Sequence, residues 1–195
     1  MGRGASEEYA LDFDEVERLW EACREDKDKA LVGLLVWCGL RVSEAIHLRE
    51  SWMVGTTTIR IPRQMSCNCW ECATEREGVW KPKSKAGARE IPIPGTLVPP
   101  LLRCLAAYPN GLITIMNRVT AWKTVKKLAG EAGIRKKVFP HSLRASYATI
   151  LATKGLTAAE LCYVLGWSDI SMGSHYIQIA QARAGSASKI REIFK

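Results

Sequence analysis

A histidine and an arginine, His141 and Arg144, stand three positions apart at the start of a segment with helical periodicity. If the helix begins at Pro140, the two side chains share its first exposed face, near the positive end of the helix dipole. An anion would be stabilised at that position. Trp167 and Tyr176 follow, nine positions apart. Hydrogen-bond donors and a phenol hydroxyl therefore occur together in one short block.

A third cation, Arg41, directly follows an apolar segment over residues 30–40 that predicts a buried helix. Arg41 therefore leaves a rigid element and can be held with little freedom. Glu44 lies three positions further on, and alone the two residues would be interpreted as an ordinary ion pair worth a few tenths of a kcal/mol. His47, on the same short predicted helix, is interpreted as a surface residue without a role.

Three lysines, Lys81, Lys83 and Lys85, alternate along a segment that predicts a strand, so their side chains should point to one face. Residues 79–94 are predicted to form this strand, a tight turn and a second strand. A solvated basic edge is the ordinary explanation for such a pattern.

The order and spacing of these residues resemble the catalytic domain of the tyrosine recombinases, the phage integrase family. The resemblance covers residues 12–180. It implies that six residues are catalytic, namely Arg41, Lys83, His141, Arg144, Trp167 and Tyr176. The lysine hairpin and the cysteine-rich stretch before it suggest archaeal or viral integrases as kin.

The resemblance implies a site-specific recombinase in which Tyr176 attacks a DNA phosphorus and forms a 3′-phosphotyrosine, without a metal ion or ATP. Arg41 and Arg144 would neutralise the phosphate oxygens. Lys83, with Lys85 as the alternative, would protonate the departing 5′ oxygen.

Three further residues have supporting roles by the same resemblance. His141 would assist proton transfer. Trp167 would donate a hydrogen bond from Nε1, although many relatives carry a histidine there, which favours packing over donation. Glu44 would orient an arginine or the histidine.

Charge is unevenly distributed along a chain whose composition, 47% hydrophobic and 25% charged, is that of a globular domain. Residues 1–50 hold 7 basic and 12 acidic groups, a net charge of −5, whereas residues 117–195 hold 13 and 4, a net charge of +9. This skew favours double-stranded DNA over an acidic membrane as the partner. Without a membrane-length apolar run or a signal-peptide pattern, we expect a cytoplasmic protein, at the nucleoid when bound to DNA.

Eight further basic residues are expected to contact the DNA backbone without reading its sequence. Solvated helix faces are the alternative explanation. The residues are Lys81, Lys85, Lys123, Lys126, Lys127, Arg135, Lys136 and Lys137.

Three of the seven cysteines, Cys67, Cys69 and Cys72, are clustered, and the other four are scattered on apolar helical faces. Three thiolates this close could bind a structural zinc ion if a fourth ligand came from Cys38, Glu71 or a histidine. The spacing is not a complete zinc signature, and a cysteine-rich turn with a reactive thiol is an equal alternative.

The predicted fold is α+β, mainly helical with a small three-stranded antiparallel sheet. Residues 1–11 are predicted to be a flexible lead-in, 12–180 the catalytic domain, and 181–195 a tail that docks on a neighbouring protomer or on its own chain. The resemblance implies a homo-oligomer, a tetramer assembled on DNA. Two other functions remain open on the same fold, an inactive DNA-binding regulator and a type IB topoisomerase-like enzyme.

Overall fold

The computed structural model describes residues 8–193, apart from the side chains of residues 183–192. Nine α-helices, three short 3₁₀ helices and five short strands form within this range. The helices are α1 (Phe13–Ala22), α2 (Asp26–Val36), α3 (Val42–His47), α4 (Trp70–Glu75), α5 (Val98–Ala107), α6 (Arg118–Glu131), α7 (Pro140–Thr153), α8 (Ala158–Leu165) and α9 (Ile170–Ile193). The strands are β1 (Met53–Val54), β2 (Thr58–Arg60), β3 (Met65–Ser66), β4 (Val79–Trp80) and β5 (Glu90–Pro92). The predicted α+β class is confirmed.

Helix α2 is the centre of the main core. Every side chain from Ala30 to Val36 is buried, because α1, α3, α5, α6 and α7 all pack on this helix. A helix that is apolar on all sides is stable only when it is surrounded in this way. The chain then turns at Gly39, with φ of +59°, and enters α3 through Arg41. The rigid base that the sequence predicts for Arg41 is therefore present.

A second core lies between α7, α8 and α9, where alanines and leucines pack around the buried ring of Tyr176. Helix α7 begins at Pro140, as predicted. Helix α8 begins at a capping box in which Thr157 and Glu160 each accept from the other's backbone N–H. It ends at Gly166, whose left-handed conformation (φ +60°) stops the helix.

Two separate antiparallel sheets form, and the predicted pairing within residues 79–94 was wrong. Strand β2 pairs with both β1 and β5, so that Ile59 and Ile91 lie opposite each other in the core. Strand β4 pairs instead with β3. The predicted strand with alternating lysines ends at Trp80, and a short 3₁₀ helix, Lys85–Gly87, takes the place of the predicted tight turn.

The predicted lead-in and the predicted tail both connect to helices where the structure describes them. Residues 1–7 of the predicted lead-in lie outside it. Leu11, at the other end of the lead-in, is buried and donates its backbone N–H to Ser146 Oγ at 2.8 Å. The backbone of most of the predicted tail is part of helix α9. Among the helices of the described residues, none has both the length and the apolar character needed to cross a bilayer.

Candidate active site

One groove contains all six residues that the sequence predicts to be catalytic. It has a volume of about 1050 Å³ and runs between α3, the segment after β4, and the ends of α7, α8 and α9. Its walls include Arg41, Lys83, His141, Arg144, Trp167 and Tyr176. Side chains that are as much as 135 positions apart in the sequence are therefore brought to one surface.

The C-terminal end of α8, residues Val164–Gly166, holds three arginines. Arg89 Nε donates to the Val164 carbonyl at 2.7 Å, Arg144 Nη2 donates to the Leu165 carbonyl, and Arg41 Nη2 donates to the Gly166 carbonyl at 3.2 Å. The last carbonyls of a helix lack partners within the helix and carry the negative end of its dipole. This end of α8 therefore attracts guanidinium groups and fixes where they point.

Arg144 is held between α8 and the turn that follows α2. Only 4% of its surface is exposed, and its Nη1 donates to the carbonyl of Gly39 in the turn after α2. Burial, and after it repulsion from Arg41, lowers the pKa of Arg144 to about 9. The guanidinium therefore still carries its charge at neutral pH, beside a second fixed cation.

Glu44 is the carboxylate that lies among these arginines. It is 1% exposed, and it accepts from the backbone N–H of Arg41 and from Arg41 Nη1, both at 2.9 Å. Burial raises the pKa of Glu44, but Arg89, Arg144 and Arg41 together outweigh burial and lower it. Glu44 is therefore ionised at neutral pH, and the predicted orienting role is consistent with its contacts to Arg41.

Arg89 was not selected by sequence reasoning, although it shares this network. Its side chain is 1% exposed, with Nη2 3.2 Å from Glu44 Oε2 and Nη1 2.8 Å from the Gly87 carbonyl. It therefore joins the segment after Lys83 to both Glu44 and α8. The sequence signal for Arg89 was its place directly after Ala86-Gly87-Ala88. It was missed because a charged residue at the end of a strand is usually exposed.

Tyr176 and Trp167 lie against each other. The two rings are stacked, with centroids 5.3 Å apart and planes at 14°, and Arg144 Cζ lies 5.9 Å from the Trp167 ring. Tyr176 is 5% exposed and lines the groove from α9. Trp167 therefore orients the phenol by packing, while its Nε1 donor role stays a prediction.

His141 is placed on the groove wall with three cations around it. Desolvation, then Arg144, Lys83 and Arg41, lowers its pKa below the usual value of 6.5. Its imidazole is therefore neutral at neutral pH and can accept a proton. Lys81 and Lys83 both line the groove, in the loop after β4.

Of the other predicted backbone contacts, Lys85 begins the 3₁₀ helix Lys85–Gly87, and the rest lie on α6 and in the segment that follows it. All of them are exposed. Two are engaged within the chain: Lys136 Nζ donates to Glu15 Oε2 at 2.6 Å and Lys127 Nζ lies 3.5 Å from Glu131 Oε1. Lys126 Nζ lies 5.3 Å from the Trp122 ring centroid. A DNA contact by these lysines stays a prediction. The remaining members of this set are Lys123, Arg135 and Lys137.

His47 is not a surface residue, and that interpretation was wrong. It is 1% exposed because α3 turns this face towards the cysteine-rich segment. Its ring approaches all three clustered cysteines: the ligand atoms of His47, Cys67, Cys69 and Cys72 lie within 4.8 Å of one another. Of the fourth ligands considered from the sequence, the structure therefore brings a histidine, and not Cys38 or Glu71, into this cluster.

Comparison with known proteins agrees with the geometry. The phage integrase family model matches residues 112–183. The tyrosine recombinase XerD of Shewanella oneidensis is 30% identical over 174 residues, which cover 82% of this chain and 51% of XerD. The XerH site-specific recombinase bound to its palindromic difH substrate superposes with a TM-score of 0.70 at 20% identity, over 94% of this chain and 53% of XerH. For the catalytic domain of bacteriophage HP1 integrase the TM-score is 0.58 at 23% identity, over 92% and 93% of the two chains.

The chain thus matches one class of enzyme in sequence and in fold. The chain carries the catalytic domain of the tyrosine recombinase, or phage integrase, family. It spans about half the length of the curated relatives that it matches.

Proposed function

We propose that this chain is a site-specific DNA recombinase that cleaves and rejoins double-stranded DNA through a covalent 3′-phosphotyrosine at Tyr176. The observation that carries the proposal is the convergence of two fixed guanidiniums and this phenol on one groove. Its relatives XerD and XerH are named as recombinases, and XerH is bound to a DNA substrate.

The reaction needs a nucleophile, charge neutralisation and an acid. Tyr176 Oη forms a bond to phosphorus while the bond from phosphorus to the 5′ oxygen breaks. Arg41 and Arg144 donate hydrogen bonds to the two non-bridging oxygens, where negative charge grows, and each such donor contributes about 3 kcal/mol in a dry site. His141 accepts the phenol proton, and Lys83 gives a proton to the 5′ oxygen.

Charge neutralisation by arginine makes a divalent ion unnecessary in this proposal. Among the described residues, the one group of three or more converging metal ligands contains His47 and lies outside the groove. Glu44, a groove carboxylate, is held by two arginines. The phosphotyrosine conserves the energy of the broken bond, so rejoining needs no ATP.

The partners follow from the same chemistry. A net charge of +8 and exposed lysines beside the groove fit the phosphate backbone of double-stranded DNA, with binding that weakens steeply as salt rises. Exchange between two duplexes requires more than one active site, so we propose a homo-oligomer, a tetramer, assembled on DNA in the cytoplasm.

The decisive experiment traps the covalent intermediate. Duplexes with a randomised sequence and a nick shortly downstream of each candidate cleavage position release a short fragment that carries the free 5′ hydroxyl. This fragment diffuses away, so the adduct accumulates. Denaturing electrophoresis should show DNA attached to the protein, with or without EDTA, and sequencing of the attached DNA identifies the site. Tyr176→Phe should abolish the adduct.

A matched control is Tyr163→Phe, since Tyr163 is a 62% exposed tyrosine on the neighbouring helix α8 and should keep the wild-type yield. If the adduct survives Tyr176→Phe, the nucleophile is another group. Binding of DNA without any adduct would indicate a regulator on the same fold. Relaxation of supercoiled DNA without joining of two duplexes would indicate a topoisomerase.

A further inference from the structure

The cluster of His47, Cys67, Cys69 and Cys72 has the spacing of a metal site. His47 Nε2 lies 3.4 Å from Cys69 Sγ and 3.7 Å from Cys72 Sγ. Around a tetrahedral zinc ion with Zn–S of about 2.3 Å and Zn–N of about 2.05 Å, nitrogen and sulfur ligands lie about 3.6 Å apart, and two sulfurs about 3.8 Å apart. The observed distances bracket the first value. The cluster therefore needs little rearrangement to surround an ion.

The histidine is already oriented for this role. His47 Nδ1 lies 2.8 Å from the carbonyl oxygen of Ser43, one turn back in α3. Because a carbonyl only accepts, Nδ1 carries the proton, and Nε2 presents its lone pair to the thiols. Zinc-binding histidines are held in this manner by a hydrogen bond from the other ring nitrogen. Trp80 supports the ring from one side, with centroids 5.6 Å apart.

The cysteine-rich segment has almost no core of its own. Across residues 66–78, Cys67 and Cys72 are the buried side chains, and Trp70 is 76% exposed. The backbone nevertheless folds back on itself: Cys67 N donates to Gly78 O at 2.8 Å and Gly78 N donates to Cys72 O at 2.9 Å. Segments with so little apolar burial are commonly held by a structural metal ion or a disulfide.

A disulfide explains the cluster less well than a metal. The three cysteines are free thiols, and one disulfide would leave a third thiol and an oriented imidazole without a function. Cys69 Sγ also accepts the backbone N–H of Cys72 at 3.4 Å, a contact that stabilises thiolate charge. Soft thiolates with one imidazole in a tetrahedral arrangement select zinc over magnesium or calcium.

We propose that Cys67, Cys69, Cys72 and His47 Nε2 bind one structural zinc ion. All four positions are filled by protein, so the ion has no open site for substrate. It ties the cysteine-rich segment to the last residue of α3, whose first turn is capped by Arg41, and holds β4, which leads directly into Lys83. The ion is therefore a positioning element for the groove, although it does not line it.

Metal content tests this independently of DNA cleavage. The full chain, purified without added metal and under reducing conditions, should contain one zinc ion per molecule by mass spectrometry. Replacement by cobalt should give the visible absorption of a tetrahedral thiolate site. Cys72→Ser and His47→Ala should lose the zinc, whereas Cys162→Ser, a partly exposed cysteine outside the cluster, should keep it.

Stability gives a second readout. Removal of zinc by a strong chelator should lower Tm, and zinc should restore it where magnesium does not. Wild-type protein that is folded and free of zinc would overturn the proposal, as would a disulfide between two of the three cysteines. Full zinc content in Cys72→Ser would also overturn it. A variant that does not fold leaves the wild-type stoichiometry and the cobalt spectrum to decide.

Discussion

Replacing Glu44 by glutamine tests whether one buried carboxylate holds the arginine network together. The side chains of Glu44 and Arg89 are each 1% exposed, and that of Arg41 is 17% exposed. Glutamine keeps the shape but removes the charge, and its amide N–H₂ would face a guanidinium donor. Removing one partner of a buried ion pair typically costs about 3–5 kcal/mol.

This loss is large relative to the total stability of a domain, which is about 5–15 kcal/mol. For a chain of this size each 1 kcal/mol lowers Tm by about 2–4 °C, so Glu44→Gln should lower Tm by about 6–20 °C. Differential scanning calorimetry at neutral pH measures this change in Tm. The matched control is Glu90→Gln, since the Arg60–Glu90 pair has side chains that are 63% and 47% exposed. The loss of stability in Glu90→Gln should stay below about 1 kcal/mol.

The pH dependence follows from the lowered pKa of Glu44. A carboxylate with a folded pKa below its unfolded value of 4.5 contributes full stability above pH 4.5, and this contribution disappears as pH falls through the folded pKa. The wild type and Glu44→Gln should therefore approach each other in stability below pH 4.5. A Glu44→Gln protein no less stable at neutral pH than Glu90→Gln would refute the role of Glu44.

Three further outcomes are expected from the same geometry. Gly166→Ala and Gly133→Ala both place a side chain at positive φ, which costs about 1–2 kcal/mol each. At Gly166 the new Cβ would also meet a backbone carbonyl oxygen at 2.8 Å, whereas nothing lies within 4 Å at Gly133. Urea denaturation should therefore show the larger loss of stability for Gly166→Ala, and equal losses would contradict the close contact. His141 should titrate below pH 6.5 in an NMR titration, because desolvation and the neighbouring cations lower its pKa. A midpoint at or above 6.5 would contradict this placement of His141 beside the cations. Lys83→Met should slow adduct formation by about 10²–10⁴-fold, and Lys85→Met should slow it much less. The reason is that Lys83 lines the groove and Lys85 is not among its lining residues. If Lys85→Met has the larger effect, Lys85 is the acid.

The helices could be predicted from the sequence because their signals are local. The apolar run that begins at Ala30 is buried in α2, and Pro140 begins α7. The six groove residues could be identified because their types and order are specific as a set. None of these inferences required knowledge of which distant segments touch.

The missed features all depend on contacts between distant segments. The strands are two or three residues long, so hydrophobic alternation could not determine that β4 pairs with β3. Arg89 is buried and donates to the carbonyl of Val164 in α8, 75 positions away. His47 meets cysteines that lie 20 or more positions further on, and a lone histidine on a short helix gives no sign of them.

Within the group of side chains that meet at the end of α8, positive charge exceeds negative charge. Arg41, Arg89 and Arg144 surround one carboxylate, Glu44, so two positive charges remain in excess. Helix carbonyls hold the guanidiniums in place but supply only partial charge. Burial of Arg144 beside Arg41 and Arg89 is unfavourable, and in the proposed reaction a phosphodiester anion in the groove relieves it. In the proposed reaction the phosphodiester carries one negative charge and its pentacovalent transition state carries two, so a network with excess positive charge stabilises the transition state more than the ground state.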